Sequence, residues 1–226
     1  MHGDPLWFKA LLLAHISCGT AGLLLLPAVL AVTKGGARHR RWGKIYFWAM
    51  MVVAASALAM ALFRPIPFLA LIAVLTFYLV FSGYRAVRRK NGPAGFADWA
   101  AAAMTFVACA CLVAFAQLRP SWVQNMGPVA IALGAIGLVS SGSDLRRFGG
   151  GPPPKMAWLT RHLGRFLGSY IAAWTAFSAV TLSQLLPHAT VIVWLWPSAV
   201  GVPAITMIAF YYRRKLAARS VVSATA

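Results

Sequence analysis

Acidic side chains are almost absent from this sequence, in which only three of 226 residues are Asp or Glu. Charged residues make up 11% of the chain, whereas an ordinary soluble domain carries about 25%. A soluble surface of mixed sign cannot be built from so few charges, and 61% of the residues are hydrophobic. The composition therefore predicts an integral membrane protein. A net charge of +18 would suggest a nucleic-acid-binding protein if the basic residues lay on one folded surface. The positions of these residues along the chain therefore matter more than their number.

Cysteine is also scarce, and several motifs are missing altogether. Cys18, Cys109 and Cys111 lie inside apolar segments, without metal-site spacing or a disulfide framework, and are predicted to be packing residues. The sequence contains no P-loop, HExxH or CxxC motif. No carboxylate lies deep in an apolar segment, which argues against an ion-coupled transporter. The last apolar segment has no lysine, which excludes a retinal Schiff base there.

Seven apolar segments are long enough to cross a bilayer, which takes about 20 helical residues. They predict an all-α, integral membrane seven-helix bundle that forms one transmembrane domain over residues 1–226. The first segment lacks a basic leader and is too long for the apolar region of a signal peptide. The predicted spans are 6–32, 45–63, 68–87, 99–118, 128–145, 163–186 and 191–212.

Basic residues are concentrated between alternate spans. Of the 21 Lys and Arg residues, 18 lie in four clusters, at 34–44, 85–90, 146–165 and 213–219. Seven spans place all four clusters on one side of the membrane, which the positive-inside rule assigns to the cytoplasm. The N-terminus is then outside and the C-terminus cytoplasmic. The clusters are expected to contact anionic lipid head groups at the cytoplasmic face, and nucleic acid is not an expected partner.

Similar residues recur at the turns and helix ends of successive pairs of spans. Arg64-Pro65 and Arg119-Pro120 stand at corresponding turns, and "FSGYRAVRR" and "VSSGSDLRR" end corresponding helices. This pattern predicts one leading helix followed by three helical hairpins. Any hairpin that obeys the positive-inside rule ends in arginines, so the pattern leaves open whether the hairpins arose by duplication.

His15 is the ionisable residue placed deepest in a predicted span. It lies roughly 6 Å outward of the middle of the first span, and Gly19 and Gly22 share its helix face. Small neighbours favour close helix packing, so His15 is expected to face the bundle. It is a candidate ligand of haem b or a metal, or a contact for a quinone. Met60 lies at a similar depth and would allow a His–Met haem pair. The alternative is an imidazole hydrogen-bonded to a neighbouring hydroxyl or carbonyl group.

A second candidate site lies at the predicted cytoplasmic boundary. His39 and His162 could bind zinc there if one Asp completed the usual three protein ligands. The same level of the membrane holds candidate ligand-binding residues for an anionic head group or cofactor. The alternative is that each carboxylate offsets nearby arginines, or that Asp98 caps the fourth span. The candidate residues at this level are Tyr46, Arg85, Asp98, Asp144 and Arg161.

The last two spans contain residues that alter helix packing. Pro197 and Pro203 remove backbone donors near the centre of the seventh span, which predicts a broken helix. Such a break, with Pro197 and Gly201, would provide a site for a small-molecule carrier or channel, and a simple proline kink is the alternative. In the sixth span small residues recur every four positions and predict a seam for close helix contact. They are Gly164, Gly168, Ala172 and Ala176. Ser169, Tyr170 and Thr175, on other faces of this span, could hydrogen-bond across the bundle.

Two stretches resemble a known family. "KGGARHRRWGKIYFWAM", after a first helix with a histidine, and "TRHLGRFLGSYIAAWTAF" are similar to uncharacterised bacterial multi-pass membrane proteins, catalogued as a domain of unknown function. The resemblance implies a seven-helix protein of the bacterial inner membrane, and it supplies no activity. Its motif positions are His15, His39, Gly43, Tyr46, His162, Ser169 and Tyr170.

Four functions are therefore carried forward. The first is the binding of haem, a metal, a quinone-type redox cofactor or a lipid-like ligand near His15. The second is a carrier or channel that uses the seventh helix. The third is an intramembrane zinc-dependent hydrolase with His39, His162 and an Asp. The fourth is a structural or assembly subunit, with a membrane protein partner or a second copy of the chain.

Overall fold

The computed structural model describes residues 5–90, 92–118, 126–151 and 156–222. The predicted Arg119-Pro120 turn and Lys155 lie outside these residues. Seven helices run through the described chain, and each is long and apolar enough to cross a membrane, which confirms the predicted all-α, seven-helix architecture. The helices are α1 (Leu6–Ala31), α2 (Ala37–Phe63), α3 (Pro67–Arg89), α4 (Phe96–Leu118), α5 (Gly127–Phe148), α6 (Ala157–Leu185) and α7 (Thr190–Val222).

Successive helices pack side by side from α1 to α5 and again as α6 and α7, and each runs opposite to the one before it. Helix α6 packs against α3 and not beside α5, and its N-terminal end lies at the C-terminal end of α3, where His162 bonds to Gly83. The C-terminal ends of α1, α3, α5 and α7 therefore lie with the N-terminal ends of α2, α4 and α6, and together they carry the four basic clusters. We call this the basic end of the bundle, and the opposite one the far end. The turn between α1 and α2 is made by Gly35, whose φ of 75° suits glycine.

Helix α3 is the centre of the bundle and packs against α2, α4 and α6. Its residues belong to all three clusters of buried hydrophobic side chains, with Val80 facing α2 and Leu75 facing α4 and α5. Near its C-terminal end, a side chain at Gly83 would overlap Phe166 of α6, so glycine permits the close approach of α3 and α6 there. Helix α3 thereby positions α6, which forms one wall of the candidate site.

Helix α7 is continuous, contrary to the predicted break. The α-helix runs from Thr190 to Val222 through both Pro197 and Pro203. Each proline removes one backbone donor, but neighbouring helices support the remaining turns, and prolines are tolerated in membrane helices for this reason. Helix α1 likewise continues through Pro27.

Candidate functional site

His15 is anchored on one side of its ring. Its Nδ1–H donates to the carbonyl oxygen of Val53 at 3.1 Å and approaches the hydroxyl oxygen of Ser56 at 3.0 Å. A carbonyl oxygen can only accept, so Nδ1 carries the proton and Nε2 of the neutral ring has a free lone pair. The structure gives Nε2 no hydrogen-bond partner among the described residues. The ring is thus held by α2 while one nitrogen remains available.

Polar side chains from five helices lie at about the level of His15. At 1.5 Å per residue, they stand between about 10 and 15 Å from the far ends of their helices. This places them inside the hydrocarbon core, where polar groups are costly and mark candidate functional sites. The residues of this polar layer are His15, Ser56, Thr76, Thr175 and Ser198.

Thr175 has a hydroxyl group that nothing in the described chain satisfies. The residue is 4% exposed, and its Oγ1 is buried without a hydrogen-bond partner. Ser56 and Thr76 of the same layer differ, since they donate to the carbonyl oxygens of Val52 at 2.6 Å and of Ile72 at 3.0 Å. A buried hydroxyl without a partner costs about 1–3 kcal/mol. A ligand that accepts a hydrogen bond would remove this cost.

His15 and Thr175 both line a large cavity. Its volume is about 990 Å³, at the upper end of the roughly 300–1,000 Å³ typical of small-molecule sites. The walls come from α1, α2, α3, α5, α6 and α7, and Met60 belongs to them. Along α6 the cavity extends from Ala157 to Val180, which is about 35 Å of helix and comparable with the thickness of a bilayer.

The small-residue stripe of α6 lines this cavity. The stripe was predicted to be a seam for helix contact, but Gly164, Gly168, Ala172 and Ala176 all belong to the wall. An added Cβ at Gly168 would meet Leu79 at 3.7 Å, which is an ordinary contact and not a close helix approach. The small side chains therefore leave room along α6, because the neighbouring helices do not close over them.

His39 and His162 come together at the basic end, with ring centroids 6.5 Å apart. Nδ1–H of His39 donates to the carbonyl oxygen of Val29 at 3.3 Å, and that of His162 donates to Gly83 at 3.1 Å. Both rings thus repeat the arrangement of His15, with Nε2 unpaired among the described residues. Fourteen positions along α2 separate His39 from Val53, or about 21 Å, so this pair lies far from His15.

The Asp98 carboxylate binds arginines and the N-terminal end of its own helix. Arg85 donates two hydrogen bonds to its carboxylate, at 2.9 and 2.7 Å. The backbone N–H of Gly95, directly before α4, donates to the same carboxylate at 3.0 Å. Asp98 therefore both offsets arginine charge and caps α4, the two structural roles expected of it as alternatives to ligand binding.

Asp144 is the centre of a buried network. Its carboxylate accepts hydrogen bonds from the Tyr78 hydroxyl at 2.6 Å, from Arg165 at 2.9 Å and from Arg147 at 3.2 Å. The carboxylate side chain is only 3% exposed. Arg165 also donates to the carbonyl oxygen of Ser140, which ties α6 to α5. Both oxygens of Asp144 thus already accept hydrogen bonds, and two of the three donors are arginines that would compete with a metal ion.

The predicted third zinc ligand is not in place. Within residues 5–90, 92–118, 126–151 and 156–222, no three His, Cys, Asp or Glu side chains lie close enough to hold a metal ion. His39 and His162 are a pair without a carboxylate, since both carboxylates at this end bind arginines. The zinc-hydrolase interpretation thus lacks the ligand set on which it depended.

Of the remaining predicted ligand-binding residues, Arg161 lines the cavity, whereas Tyr46, Pro197 and Gly201 do not. Tyr46 is fully buried, and its hydroxyl group pairs with that of Ser169 at 2.8 Å. Pro197 and Gly201 lie outside the cavity wall, to which α7 contributes Ser198 and Val202 instead. A side chain at Gly201 would overlap Ile171, with its Cβ 2.5 Å from Cγ1, so Gly201 serves the contact between α7 and α6.

Several cavity residues were not singled out from the sequence. Thr175 was noted only for hydrogen bonding across the bundle, and Arg147 and Arg165 were assigned to topology. A threonine or arginine has no sequence signal that separates a satisfied side chain from an unsatisfied one. The two arginines of α6 do share a positional signal in the sequence. Arg161 and Arg165 lie on the same side of that helix as Gly164 and Gly168, and all four line the cavity.

Residues 12–141 match the family model described as "Predicted membrane protein (DUF2306)". The match covers 130 of 226 residues, or more than half of the chain. The chain belongs to this family. No curated protein and no solved structure matches the chain. The DUF2306 match confirms the resemblance and identifies an integral multi-pass membrane protein, but it carries no activity.

The DUF2306 region includes only part of the candidate site. It contains His15, His39 and Met60, and it ends within α5 at Ser141. Helices α6 and α7, with His162 and the small-residue wall, lie beyond it. The cavity is therefore built jointly by the DUF2306 region and by the two helices that follow it.

Proposed function

We propose that the protein binds an amphipathic small molecule inside the bilayer, in the cavity between α1, α2, α3, α5, α6 and α7. The observation that carries this proposal is the polar layer within an otherwise apolar cavity. There, Oγ1 of Thr175 is buried without a partner and Nε2 of His15 is unpaired among the described residues. The hydroxyl can donate to a ligand oxygen, and the imidazole nitrogen can accept from a ligand hydroxyl.

As the ligand, the geometry favours a lipid-like molecule first, a quinone-type molecule second and haem b third. An apolar body fits the long cavity, and one oxygen function fits Thr175 and His15. If haem is the ligand, His15 would hold its iron through Nε2, and Met60 on the same cavity wall is the other candidate to hold it. Purification in mild detergent with haem supplied during growth tests that version, because His15→Ala must abolish the Soret band if it applies.

The test of cavity binding is to fill the cavity from α6. Ala172→Phe places a large side chain in the wall, while Ala103→Phe adds the same ring to an exposed position on α4, which does not line the cavity. Molecules that copurify with the full-length protein are extracted and identified by mass spectrometry. We expect Ala172→Phe to lose most of the bound molecule and Ala103→Phe to retain it. Equal retention in two folded variants would overturn the proposal.

We place the basic end in the cytoplasm and the far end outside, in the inner membrane of a bacterium. The distribution of 18 of 21 basic residues at one end supports this orientation. The whole chain, residues 1–226, is proposed to act as a single transmembrane domain. A membrane protein partner or a second copy of the chain would pack against its exposed helix faces.

Passage of a small molecule along the cavity is the second candidate function. The observation that favours it is the extent of the cavity along α6, about 35 Å. Flux into proteoliposomes would then depend on Ala172, which lines the cavity. It would not depend on Pro197, which lies outside the wall. Flux that Ala172→Phe leaves unchanged would remove this candidate.

A further inference from the structure

The basic end of the cavity carries more positive than negative charge. Three arginines line it, Arg147, Arg161 and Arg165. Among the described residues, the carboxylate that pairs with this group is Asp144, which binds Arg147 and Arg165. Three guanidinium groups thus face one carboxylate, and the surplus is two positive charges. A buried or half-buried surplus of this kind is stable only if an anion or water compensates it.

Arg161 is the arginine of this group without an ion pair among the described residues. Its one hydrogen bond runs from Nε to the carbonyl oxygen of Ala157, at a long 3.4 Å. The side chain lies in the electrostatic field of Arg147, Arg165 and Arg89, and Asp144 offsets this field only in part. The guanidinium fork of Arg161 therefore has donors to spare at the edge of the cavity.

The surroundings of Arg161 suit an oxyanion. Helix α6 begins four residues earlier at Ala157 and has no acidic residue in its first turn, so the positive end of its dipole is unopposed. Ser143 and Thr160 line the same end of the cavity, but their hydroxyl groups donate to the carbonyl oxygens of Ser140 and Ala157, so the donors left for an anion are those of the Arg161 guanidinium group. Arginine binds phosphate groups through two parallel hydrogen bonds, a geometry that lysine cannot reproduce.

An apolar channel leads from this cationic end to the polar layer. From Arg161 to Thr175 there are 14 positions along α6, or about 21 Å. The wall between them is the small-residue stripe that begins at Gly164 and Gly168. A free inorganic anion would gain nothing from this channel, whereas an acyl or isoprenoid chain would fill it.

We propose that the ligand of the cavity is a lipid with a phosphate head group, held at Arg161 with its chain along the small-residue stripe of α6. This inference rests on the proposed function and adds the head group of the ligand. The phosphate lies at Arg161, about 21 Å along α6 from the oxygen function that meets Thr175 and His15 at the other end of the ligand. The basic residues at this end then do more than set topology, because Arg161 faces the cavity and not the membrane surface.

The experiment measures binding of three probes to the full-length protein in nonionic detergent. The probes are phosphatidic acid, diacylglycerol with the same chains but no phosphate, and inorganic phosphate. The variant is Arg161→Gln, and the control is Arg40→Gln, which removes an exposed arginine at the same end. We expect phosphatidic acid to bind best, and Arg161→Gln to weaken it by roughly tenfold or more, the value of one lost charge-assisted hydrogen bond. Arg40→Gln should change it little.

The outcomes separate this inference from the proposal on which it rests. If both lipids bind equally and Arg161→Gln changes neither, the phosphate head group is wrong while cavity binding stands. If inorganic phosphate competes with phosphatidic acid and Ala172→Phe affects neither, the site holds an anion but no lipid chain. If no lipid binds the unaltered protein, cavity binding of a lipid fails as well.

A second measurement needs no variant and so does not depend on the folding of Arg161→Gln. Raising the ionic strength should weaken phosphatidic acid binding to the unaltered protein more than diacylglycerol binding, because salt screens the arginines. Equal salt dependence of the two lipids would overturn the inference.

Discussion

Asp144 shows how a single buried charge is held in this protein. Tyr78 of α3, Arg147 of α5 and Arg165 of α6 donate to its carboxylate, so the network joins three helices. Its structural role follows from burial, since an ionised carboxylate inside a protein must be paired and hydrogen-bonded. Asp144 is therefore expected to matter for stability and not for chemistry.

Replacement of Asp144 by asparagine should destabilise the protein strongly. The change leaves Arg165, which is 8% exposed, as a buried charge without its partner. Breaking a buried pair in this way costs about 3–5 kcal/mol. Thermal unfolding in detergent, followed by helical circular dichroism, measures the loss.

Asp98→Asn is the matched control for this change. Arg85, its main partner, is 32% exposed in its side chain and can regain water. We therefore expect a smaller loss than for Asp144→Asn, and partial recovery in Asp144→Asn/Arg165→Gln. A larger loss for Asp98→Asn would contradict this account of the Asp144 network.

The pair formed by Tyr46 and Ser169 gives a second test. Both residues are fully buried and their hydroxyl groups lie 2.8 Å apart. Tyr46→Phe should cost about 1 kcal/mol, a typical value for one lost hydrogen bond. In a double-mutant cycle, Tyr46→Phe with Ser169→Ala should cost less than the sum of the single changes. Simple additivity in unfolding experiments would mean that the pair contributes nothing.

In α6 and α7 the sequence patterns did not lead to the expected structures. The stripe of α6 was expected at a helix contact and lines a cavity instead. In α7 the two prolines do not break the helix. The contact between these helices depends on a residue outside the stripe, Gly201, which packs against Ile171.

Gly201→Ala should weaken the contact between α6 and α7. The new methyl group would overlap the side chain of Ile171, and overpacking of this kind typically costs about 1–3 kcal/mol. Gly43→Ala in α2 is the matched control, since nothing lies within 4 Å of its added Cβ. It should be neutral or slightly stabilising, because alanine favours helix.

Ile171→Ala provides the reciprocal test of this contact. Combined with Gly201→Ala, it removes the overlapping atoms and should recover part of the lost stability. Thermal unfolding of the four proteins measures both effects. If Gly201→Ala unfolds at the same temperature as the unaltered protein, the close approach of α7 to α6 is not as described.

The whole bundle is polarised, with basic clusters at one end and few charges at the other. This arrangement predicts that the two ends react from opposite sides of the membrane. Single cysteines at Gly150, at the basic end, and at His188, at the far end, are both exposed. The background for both carries alanine at Cys18 and Cys111 and keeps Cys109, which is buried and shielded from the reagent, so the added cysteine is the reactive one.

An impermeant thiol reagent on intact cells should label His188→Cys. Gly150→Cys should react only after the cells are permeabilised. The expected contrast follows from the positive-inside rule, which retains Lys- and Arg-rich segments in the cytoplasm. Labelling in the reverse order would invert the proposed orientation and leave the fold unchanged.

Much of the architecture was predictable, and so was part of the site. Seven helices and the membrane setting follow from apolar runs and basic clusters. His15 was identified because an ionisable residue in a span is rare. Its partners were not identified, since Val53 and Ser56 are ordinary residues of a second helix. Thr175 was predicted to bond across the bundle, but its Oγ1 has no partner among the described residues.

The composition of each segment alone determines how the chain meets a bilayer, because hydropathy and charge act on each segment separately. The number of spans could therefore be read without knowing how they pack. Which side a residue faces depends on the rotation and spacing of neighbouring helices. Only the packed bundle made Asp144 a satisfied structural carboxylate, left Arg161 without an ion pair among the described residues, and made the stripe of α6 a cavity wall.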